Sequence, residues 1–418
     1  MSSALVVAAW ASAAALLFVT GANDVANALG TSVGSKALTI KQASVIAAIF
    51  ELAGAVLIGG SVASTLGDGI VHKCDFAGPV AFVEAMLASL VASAAWVGVA
   101  TRFSLPVSST HAIIGAVVAC ALLEGGTDAV GVEKLAMTAL SWVVSPAIGA
   151  LVAGAVYYAC RVYVLESSRP IARSRELAPF LIGGTAATLA LFVVIGGPPA
   201  LRPDVSTATA VAGFVVSAAL LSAAARCFVV PRVEGRQAPA VDVASCARRS
   251  LSGSPASKHR AAAEMSVEDA PLLVLRAHSS AAPSDALEKG AAERGAAPGG
   301  GGARHSLFRP GAKPSNAALD AAAQRWFALP MVMTACCVSF GHGGNDIANA
   351  IGPLSEVLLF STTGLLNRAA RAEAQLWWVA PVGGVFIVLG LVVWGGRVMK
   401  TVSFLFLPLH FTRILLTI

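Results

Sequence analysis

Two short stretches of the sequence carry the same acidic and amide side chains at the same spacing. Residues 18–30 are FVTGANDVANALG and residues 340–352 are FGHGGNDIANAIG, so Asp24 and Asp346 each stand in an N-D-x-A-N pattern. Carboxylate and amide oxygens are hard ligands that suit a small cation, and amide NH2 groups can donate to an oxyanion. The two stretches therefore predict an ion site to which both copies of the pattern contribute side chains.

Polar side chains of this kind can also serve only to hold helices together by hydrogen bonds. A single Asn would fit that role, but here the whole pattern recurs, and eight of 13 positions (Phe, Gly, Asn, Asp, Ala, Asn, Ala and Gly) are identical. We interpret the stretches as an internal duplication. The candidate ion ligands are Asn23, Asp24, Asn27, Asn345, Asp346 and Asn349, of which Asp24, Asp346, Asn23 and Asn345 are assigned to a cation.

A second polar cluster, P-V-S-S-T-H at 106–111, opens an apolar segment. Proline near a helix start, followed by hydroxyl residues, exposes free backbone N–H groups at the positive end of the helix dipole. Ser108, Ser109 and Thr110 are therefore candidate ligands of an anion. An ordinary helix cap is the alternative. A Ser–His hydrolase is a weaker alternative, because the sequence has no G-x-S-x-G motif and no evident acid to orient the His.

Two more ionisable residues, Glu51 and His342, lie in apolar surroundings. Glu51 stands in the middle of the apolar run 46–57. Ionisable side chains inside membrane segments are costly and are by default functional. His342 occupies the position that Thr20 has in the first stretch, and an imidazole can exchange a proton near neutral pH. We treat Glu51 and His342 as candidate functional residues, with a capping or packing role for His342 as the alternative.

Composition places these residues in a membrane protein. Of the 418 residues, 56% are hydrophobic and 12% are charged, whereas soluble domains carry about 25% charged residues. Several apolar runs reach the roughly 20 residues that cross a bilayer as a helix. The net charge of +6 does not indicate nucleic acid, since the basic residues concentrate in loops. The seven cysteines show neither metal-ligand spacing nor a disulfide framework. We predict an all-α, polytopic membrane protein without a cofactor.

The apolar runs divide the chain into three parts. A first repeat with additional transmembrane helices is predicted for 1–230, a disordered cytoplasmic loop for 231–325, and a second repeat for 326–418. The loop is rich in Ala, Gly, Ser, Pro and Arg and has no hydrophobic period. No transit peptide is visible, so the plasma membrane is the expected location.

The distribution of basic residues predicts the orientation of the segments. With the N-terminus outside, Lys73 falls outside, while Arg161, Arg169 and the long loop fall inside. The first Asn-Asp stretch then follows a helix that enters from outside, and the second follows a helix that enters from inside. This arrangement is an inverted repeat, in which the binding site is expected near the midplane on helices broken at the glycines of the two stretches.

Three stretches resemble the PiT family of inorganic phosphate transporters: GANDVANALGTSVGSKALTIKQA, PVSSTHAIIGA and FGHGGNDIANAIGP. The resemblance covers most of 1–230 and about 327–400. It implies an inverted-repeat membrane fold and symport of phosphate with Na+, or with H+ in some branches. It also implies that the Asn and Asp residues of both stretches form the phosphate and cation site, that 108–110 form the first phosphate cradle, and that Glu51 matches a glutamate important for transport.

The sequence departs from the family in one respect. The family has a second P-x-S-T-T-H-like cradle in its C-terminal half, and the spacing between Asp24 and Asp346 would place it beyond residue 418. The tail FLFLPLHF at 404–411 shows no such motif. We therefore expect a second repeat that is incomplete at its C-terminus.

The predicted function is secondary symport of inorganic phosphate with a cation, most simply Na+. Three alternatives stay open: another oxyanion such as sulfate, H+ coupling through Asp24, Glu51 or His342, and a truncated membrane protein that binds partners without transporting. The expected partners are phosphate, Na+ or H+, and the lipid bilayer, but not nucleic acid. A homodimer is left open.

Overall fold

The computed structural model describes residues 3–35, 37–60, 69–196, 206–235, 316–366 and 376–406, and these residues are almost entirely helical. Their long runs of Ala and Leu favour helix, since these residues lose the least on helix formation. Within the described ranges there is no strand, only an isolated antiparallel bridge between Val71 and Val130. The predicted all-α class is confirmed.

Ten α-helices follow one another along the described residues, and two short π-helical segments continue them. The α-helices are α1 (Ser3–Gly34), α2 (Ile40–Leu57), α3 (Pro79–Arg102), α4 (Ser109–Gly125), α5 (Val132–Cys160), α6 (Pro170–Gly196), α7 (Thr207–Gly235), α8 (Asn316–Thr363), α9 (Val379–Gly390) and α10 (Gly396–Phe406). The π-helical segments are Arg161–Leu165 after α5 and Leu391–Gly395 between α9 and α10.

Nine segments of the described chain are long and apolar enough to cross a membrane. The ninth, Leu376–Ser403, combines α9, the π-helical segment and most of α10. Large apolar side chains such as Val143 and Leu151 are exposed on the outer face of the bundle, where lipid rather than water is their compatible solvent. The chain is a multi-pass integral membrane protein.

The glycines of the two Asn-Asp stretches allow close packing between the repeats. A Cβ on Gly21 of α1 would collide with the backbone of Ile387 in α9. A Cβ on Gly343, the repeat mate of Gly21, would collide with the backbone of Glu51 in α2. The first helix of each repeat therefore packs against the second helix of the other.

A second pair of glycine contacts obeys the same symmetry. A Cβ on Gly54 of α2 would collide with the carbonyl of Phe340. A Cβ on Gly390 of α9 would collide with the carbonyl of Phe18. Phe18 and Phe340 are equivalent positions of the duplicated stretch. These reciprocal contacts extend the duplication to α2 and α9, where the segments FELAG at 50–54 and FIVLG at 386–390 take equivalent places.

The helix break lies at a different place from the one that the glycines predicted. α1 continues through Asp24 to Gly34, and α8 continues through Asp346 to Thr363. The interrupted backbone is instead 103–108, between α3 and α4. Pro106 lacks an N–H and disfavours helix at the residue before it, and Ser104 has a φ of 58°.

The predicted loop 231–325 is helical at both of its ends. α7 extends past Pro231 to Gly235, where Arg232 donates to the carbonyl of Phe228 and Arg175 pairs with Glu234 at 2.8 Å. α8 begins at Asn316 because 317–323, AALDAAA, consists mainly of strong helix formers. Residues 236–315 and 407–418 lie outside the described residues, so the disordered loop and the incomplete second repeat stay predictions.

Candidate functional site

The two duplicated aspartates meet at the interface between the repeats. Asp24 of α1 and Asp346 of α8 are each 4% exposed. The His342 Nε2 atom lies 2.8 Å from Asp346 Oδ2 and 3.9 Å from Asp24 Oδ2. One ligand atom from each of these three residues lies within 4.8 Å of the others. The cluster thus has the dimensions and the oxygen-rich chemistry of a small-cation site.

Glu51 joins this cluster from α2. Its carboxylate is buried, and its Oε1 atom lies 3.4 Å from Nδ1 of His342. The two ring nitrogens of His342 therefore contact two different carboxylates, one on each repeat. An imidazole in this position can carry a proton between them or stay neutral between a donor and an acceptor.

The interrupted backbone between α3 and α4 is held in place by Asn23. Its Nδ2 atom donates to Thr101 Oγ1 at 3.0 Å and to the Leu105 carbonyl at 2.9 Å, and its Oδ1 atom accepts from the Val107 N–H at 2.9 Å. These bonds satisfy peptide groups that have left the helical pattern, as is required of irregular backbone at membrane depth. They also fix where α4 begins.

Ser109 and Asn349 connect the start of α4 to the aspartates. Ser109 Oγ donates to Asp24 Oδ2 at 3.1 Å. Asn349 Nδ2 donates to Ser109 Oγ at 3.2 Å and to Thr110 Oγ1 at 3.1 Å. The hydroxyl groups at a helix N-terminus, which suit an anion, therefore lie directly beside the carboxylates, which suit a cation.

Three of the candidate residues are exposed rather than buried in the cluster. Ser108 is exposed and caps α4 by accepting from the His111 N–H at 3.2 Å, as in an ordinary helix cap. Asn27 is exposed and reaches Asp24 Oδ1 at 3.3 Å, and Asn345 is exposed. Their repeat mates Asn349 and Asn23 are both buried against the start of α4. The two copies of the motif therefore have unequal surroundings.

Several oxygen atoms of the cluster are buried with no hydrogen-bond partner among the described residues other than the ring of His342. They are both carboxylate oxygens of Glu51, Oδ2 of Asp346 and Oδ1 of Asn349. Leaving one such group unsatisfied costs about 1–3 kcal/mol. A bound cation would satisfy the oxygen atoms among them, so the residues present fit an ion ligand.

Three residues near the site were missed from the sequence. Thr101 binds Asn23, and Lys73 and Glu356 form an ion pair at 2.8 Å. A signal for Glu356 existed, because it follows Asn349 by seven residues and therefore lies on the same face of a helix. Thr101 and Lys73 gave no such signal, because their partners are distant in sequence.

The fold and the site together define a class of protein. A helical membrane bundle with an internal repeat, whose ion-binding side chains are buried at the repeat interface, has the architecture of a secondary transporter. Residues 20–413 match the phosphate transporter family, and the chain belongs to it. Membership in this family also confirms that the chain is a transporter and not an enzyme.

Individual relatives support this assignment. The chain is 28% identical over 389 residues to a putative phosphate permease of Haemophilus influenzae, covering 93% of this chain and 74% of the relative. It is 33% identical over 389 residues to the inorganic phosphate transporter 2-1, chloroplastic, of Arabidopsis thaliana, covering 92% of this chain and 55% of that protein. A putative phosphate permease of Chlamydia pneumoniae is 31% identical over 384 residues, with 92% and 75% covered.

A solved structure shares the fold. The structure described as the sodium-dependent phosphate transporter superposes with a TM-score of 0.68 at 24% sequence identity, covering 99% of this chain and 81% of the other. The described helices therefore share the fold of that structure.

Proposed function

We propose that this chain carries inorganic phosphate across a membrane together with a cation, which is Na+. The observation that carries the proposal is the hydrogen bond of 3.1 Å between Ser109 and Asp24, because it joins an anion-binding helix start to a paired-carboxylate site. Family membership supports phosphate as the substrate, and a sodium-dependent phosphate transporter has the same fold.

Charge explains why the two ions travel together. Phosphate carries one or two negative charges, and the cluster holds Asp24, Asp346 and Glu51. At an effective dielectric constant of about 20, two like charges 4 Å apart repel by about 4 kcal/mol. A cation between Asp24 and Asp346 removes most of this repulsion, so phosphate binds well only when the cation is present.

The phosphate ligands are the groups at the start of α4. Ser109 and Thr110 supply hydroxyl donors, Asn349 supplies an amide, and the free N–H groups of the first turn supply the helix dipole. Bound phosphate would take over donors that now bind Asp24 and the neighbouring hydroxyls. Movement of one repeat against the other then exposes the loaded site to the other side.

H+ coupling is the second candidate, and His342 favours it. Its ring contacts Asp346 on one side and Glu51 on the other, which is the arrangement of a proton carrier between two carboxylates. Under this scheme a proton, rather than Na+, neutralises the cluster. Replacement of Na+ by choline at fixed pH separates the two schemes.

Uptake of radiolabelled phosphate into proteoliposomes tests the proposal. We expect the full chain to take up phosphate with Na+ outside and to lose this uptake in choline. Asp24→Asn and Asp346→Asn should each abolish the Na+-dependent part. Asp128→Asn is the matched control, since Asp128 is exposed in a short loop helix between α4 and α5. Wild-type protein that is folded in the vesicles and takes up no phosphate would overturn the proposal.

Four further proposals accompany this function. Sulfate resembles phosphate in shape but carries no proton at neutral pH, so we expect excess sulfate to leave phosphate uptake unchanged. We retain the plasma membrane as the proposed location, although the name of the Arabidopsis relative places that protein in the chloroplast. No cofactor beyond the coupling ion is required, and a homodimer remains a proposal that cross-linking in native membranes can test.

A further inference from the structure

A cavity extends from the ion cluster along one face of α8. Asn349, Gly352, Pro353 and Glu356 line it together with residues of α3, α4 and the segment 70–71, and its volume is about 30 Å³. These four residues share a face because they are three, four and seven positions apart. With a rise of about 1.5 Å per residue, the cavity links Asn349 to a carboxylate about 10 Å away.

An ion pair between the two repeats lies at the end of this cavity that is farther from Asn349. Lys73 Nζ lies 2.8 Å from Glu356 Oε2, and the side chain of Glu356 is only 2% exposed while that of Lys73 is 20% exposed. The ammonium group also lies 5.6 Å from the ring centre of Phe82, which lines the cavity. Lys73 is thus reachable from solvent, and Glu356 lies behind it.

The segment that carries Lys73 is held against the body of the protein. The bridge between Val71 and Val130 precedes Lys73, and the His72 N–H donates to the Ala129 carbonyl at 2.9 Å. The distribution of basic residues predicts that this segment lies outside. The ion pair therefore stands between the predicted outer solution and the cluster.

The opposite charges of Lys73 and Glu356 act differently on an anion that enters the cavity. Apart from Asn349 and Glu356, the side chains that line the cavity are apolar. A phosphate ion moving through this space meets one carboxylate, which repels it, and one ammonium group, which attracts it. Because Lys73 is already bound to Glu356, the incoming anion and the carboxylate compete for the same cation.

We propose that Lys73 and Glu356 form an anion-exchange gate, in which an incoming oxyanion of the phosphate class replaces Glu356 on Lys73 and so opens the cavity toward Asn349. Lys73 is then a first, transient binding site for the substrate, and Glu356 is the internal anion that closes the gate in its absence. The role assigned to the oxyanion rests on the proposed function.

Opposite effects of two single variants test the exchange. Glu356→Gln frees Lys73 for phosphate, so the KM for phosphate should fall by roughly threefold to tenfold. Lys73→Gln removes the cation that attracts the incoming anion, so the KM should rise by roughly tenfold, and Lys73→Arg should restore it. A pair that only stabilises the fold would shift both variants in the same direction. Shifts of the same sign, or no shift in either variant, would overturn the proposal.

Two measurements serve as controls for these variants. The amount of each protein in the membrane is measured, so that misfolding is not scored as a change in KM. Glu166→Gln is the matched variant, because it removes an exposed ion pair with Arg161 at the predicted inner end of α5. It should leave the KM unchanged.

Cysteine labelling tests the gate without any transport measurement. Val117 lines the cavity on α4, and Val117→Cys is introduced into full-length chain whose seven native cysteines are replaced by Ser or Ala. A membrane-impermeant thiol reagent applied from outside should react roughly tenfold faster after Glu356→Gln or Lys73→Gln. The exchanged pair, Lys73→Glu with Glu356→Lys, should slow the reaction again. Equal rates in all four proteins would overturn the gate.

The two tests separate this inference from the function on which it rests. Wild-type protein that takes up no phosphate but shows faster labelling after loss of the ion pair would refute the proposed function and support the gate. Phosphate uptake by the wild-type protein, together with labelling rates that do not change when the ion pair is lost, would support the proposed function and refute the gate.

Discussion

Glu51 and Ile387 occupy equivalent positions in the two repeats, because each packs its backbone on the glycine that lies two residues before the Asn-Asp pair of the opposite repeat. Only Glu51 provides a carboxylate, and its Oε1 atom lies 3.4 Å from His342. The duplicated scaffold therefore carries an unequal set of charges. The proposed coupling group is therefore present on α2, and the matching position on α9 is apolar.

Removal of the Glu51 charge should reduce transport strongly. Glu51→Gln keeps the size of the side chain but takes one negative charge from the cluster, so we expect phosphate uptake to fall at least about tenfold, equivalent to 1.4 kcal/mol. Initial rates of radiolabelled uptake measure this. Glu84→Gln is the control, since Glu84 is exposed on α3. Equal rates for the Glu51 and Glu84 variants would show that the carboxylate on α2 has no part in coupling.

Close packing at the repeat interface should be sensitive to one methyl group. Gly21→Ala would force its Cβ against the Ile387 carbonyl, and overpacking of this kind costs about 1–3 kcal/mol. We expect a lower Tm for the purified protein in detergent, measured by differential scanning fluorimetry.

The control for this prediction lies on α8. Gly341 has open space where a Cβ would stand, and Ala is the better helix former, so Gly341→Ala should keep or raise the Tm. An unchanged Tm in the Gly21 variant would mean that the two helices are farther apart than described.

The two asparagines that precede the aspartates should differ in their effect on stability. Asn23→Ala removes three hydrogen bonds to the backbone and side chains at 101–107 and should lower the free energy of unfolding by about 1–3 kcal/mol. Asn345→Ala alters an exposed side chain and should change it by less than about 0.5 kcal/mol. Thermal melting in detergent compares the two. Similar losses in both variants would contradict the unequal surroundings of the motif copies.

His342 provides a test of the coupling ion. His342→Gln keeps a polar side chain beside Asp346 but removes the group that can carry a proton. If Na+ is the coupling ion, Na+ should still stimulate phosphate uptake in this variant, and an imposed pH gradient should not drive it. Loss of stimulation by Na+ together with loss of pH-driven uptake would favour the proton scheme instead.

The duplicated pattern predicted that Asp24 and Asp346 belong to one shared site, but not the full set of side chains that meet there. A repeat of N-D-x-A-N in an apolar chain implies a shared ion site, and the structure brings Asp24, Asp346 and Asn349 together with Ser109 and Thr110. The membrane class followed from composition, because 12% charged residues are too few to solvate a surface of this size.

The position of the break and the unequal roles of the repeats were not predictable in this way. Glycine was expected to break α1 and α8, but the same residues allow close helix contacts, and periodicity does not separate these two uses. The exposure of Asn27 and Asn345 depends on which helices pack beside them. The Lys73–Glu356 pair joins residues 283 positions apart, so the spacing of Glu356 from Asn349 placed it on the right helix face but did not identify Lys73 as its partner.

The measurement that tests the central claim most directly is the affinity of the purified full-length chain for phosphate, determined by scintillation proximity in Na+ and in choline. The account predicts that Na+ tightens phosphate binding at least about tenfold, the change that 1.4 kcal/mol produces. It also predicts that Asp24→Asn and Asp346→Asn bind phosphate independently of Na+, because the charge that the cation neutralises has been removed. Equal phosphate affinity in Na+ and choline for the wild-type protein would contradict it.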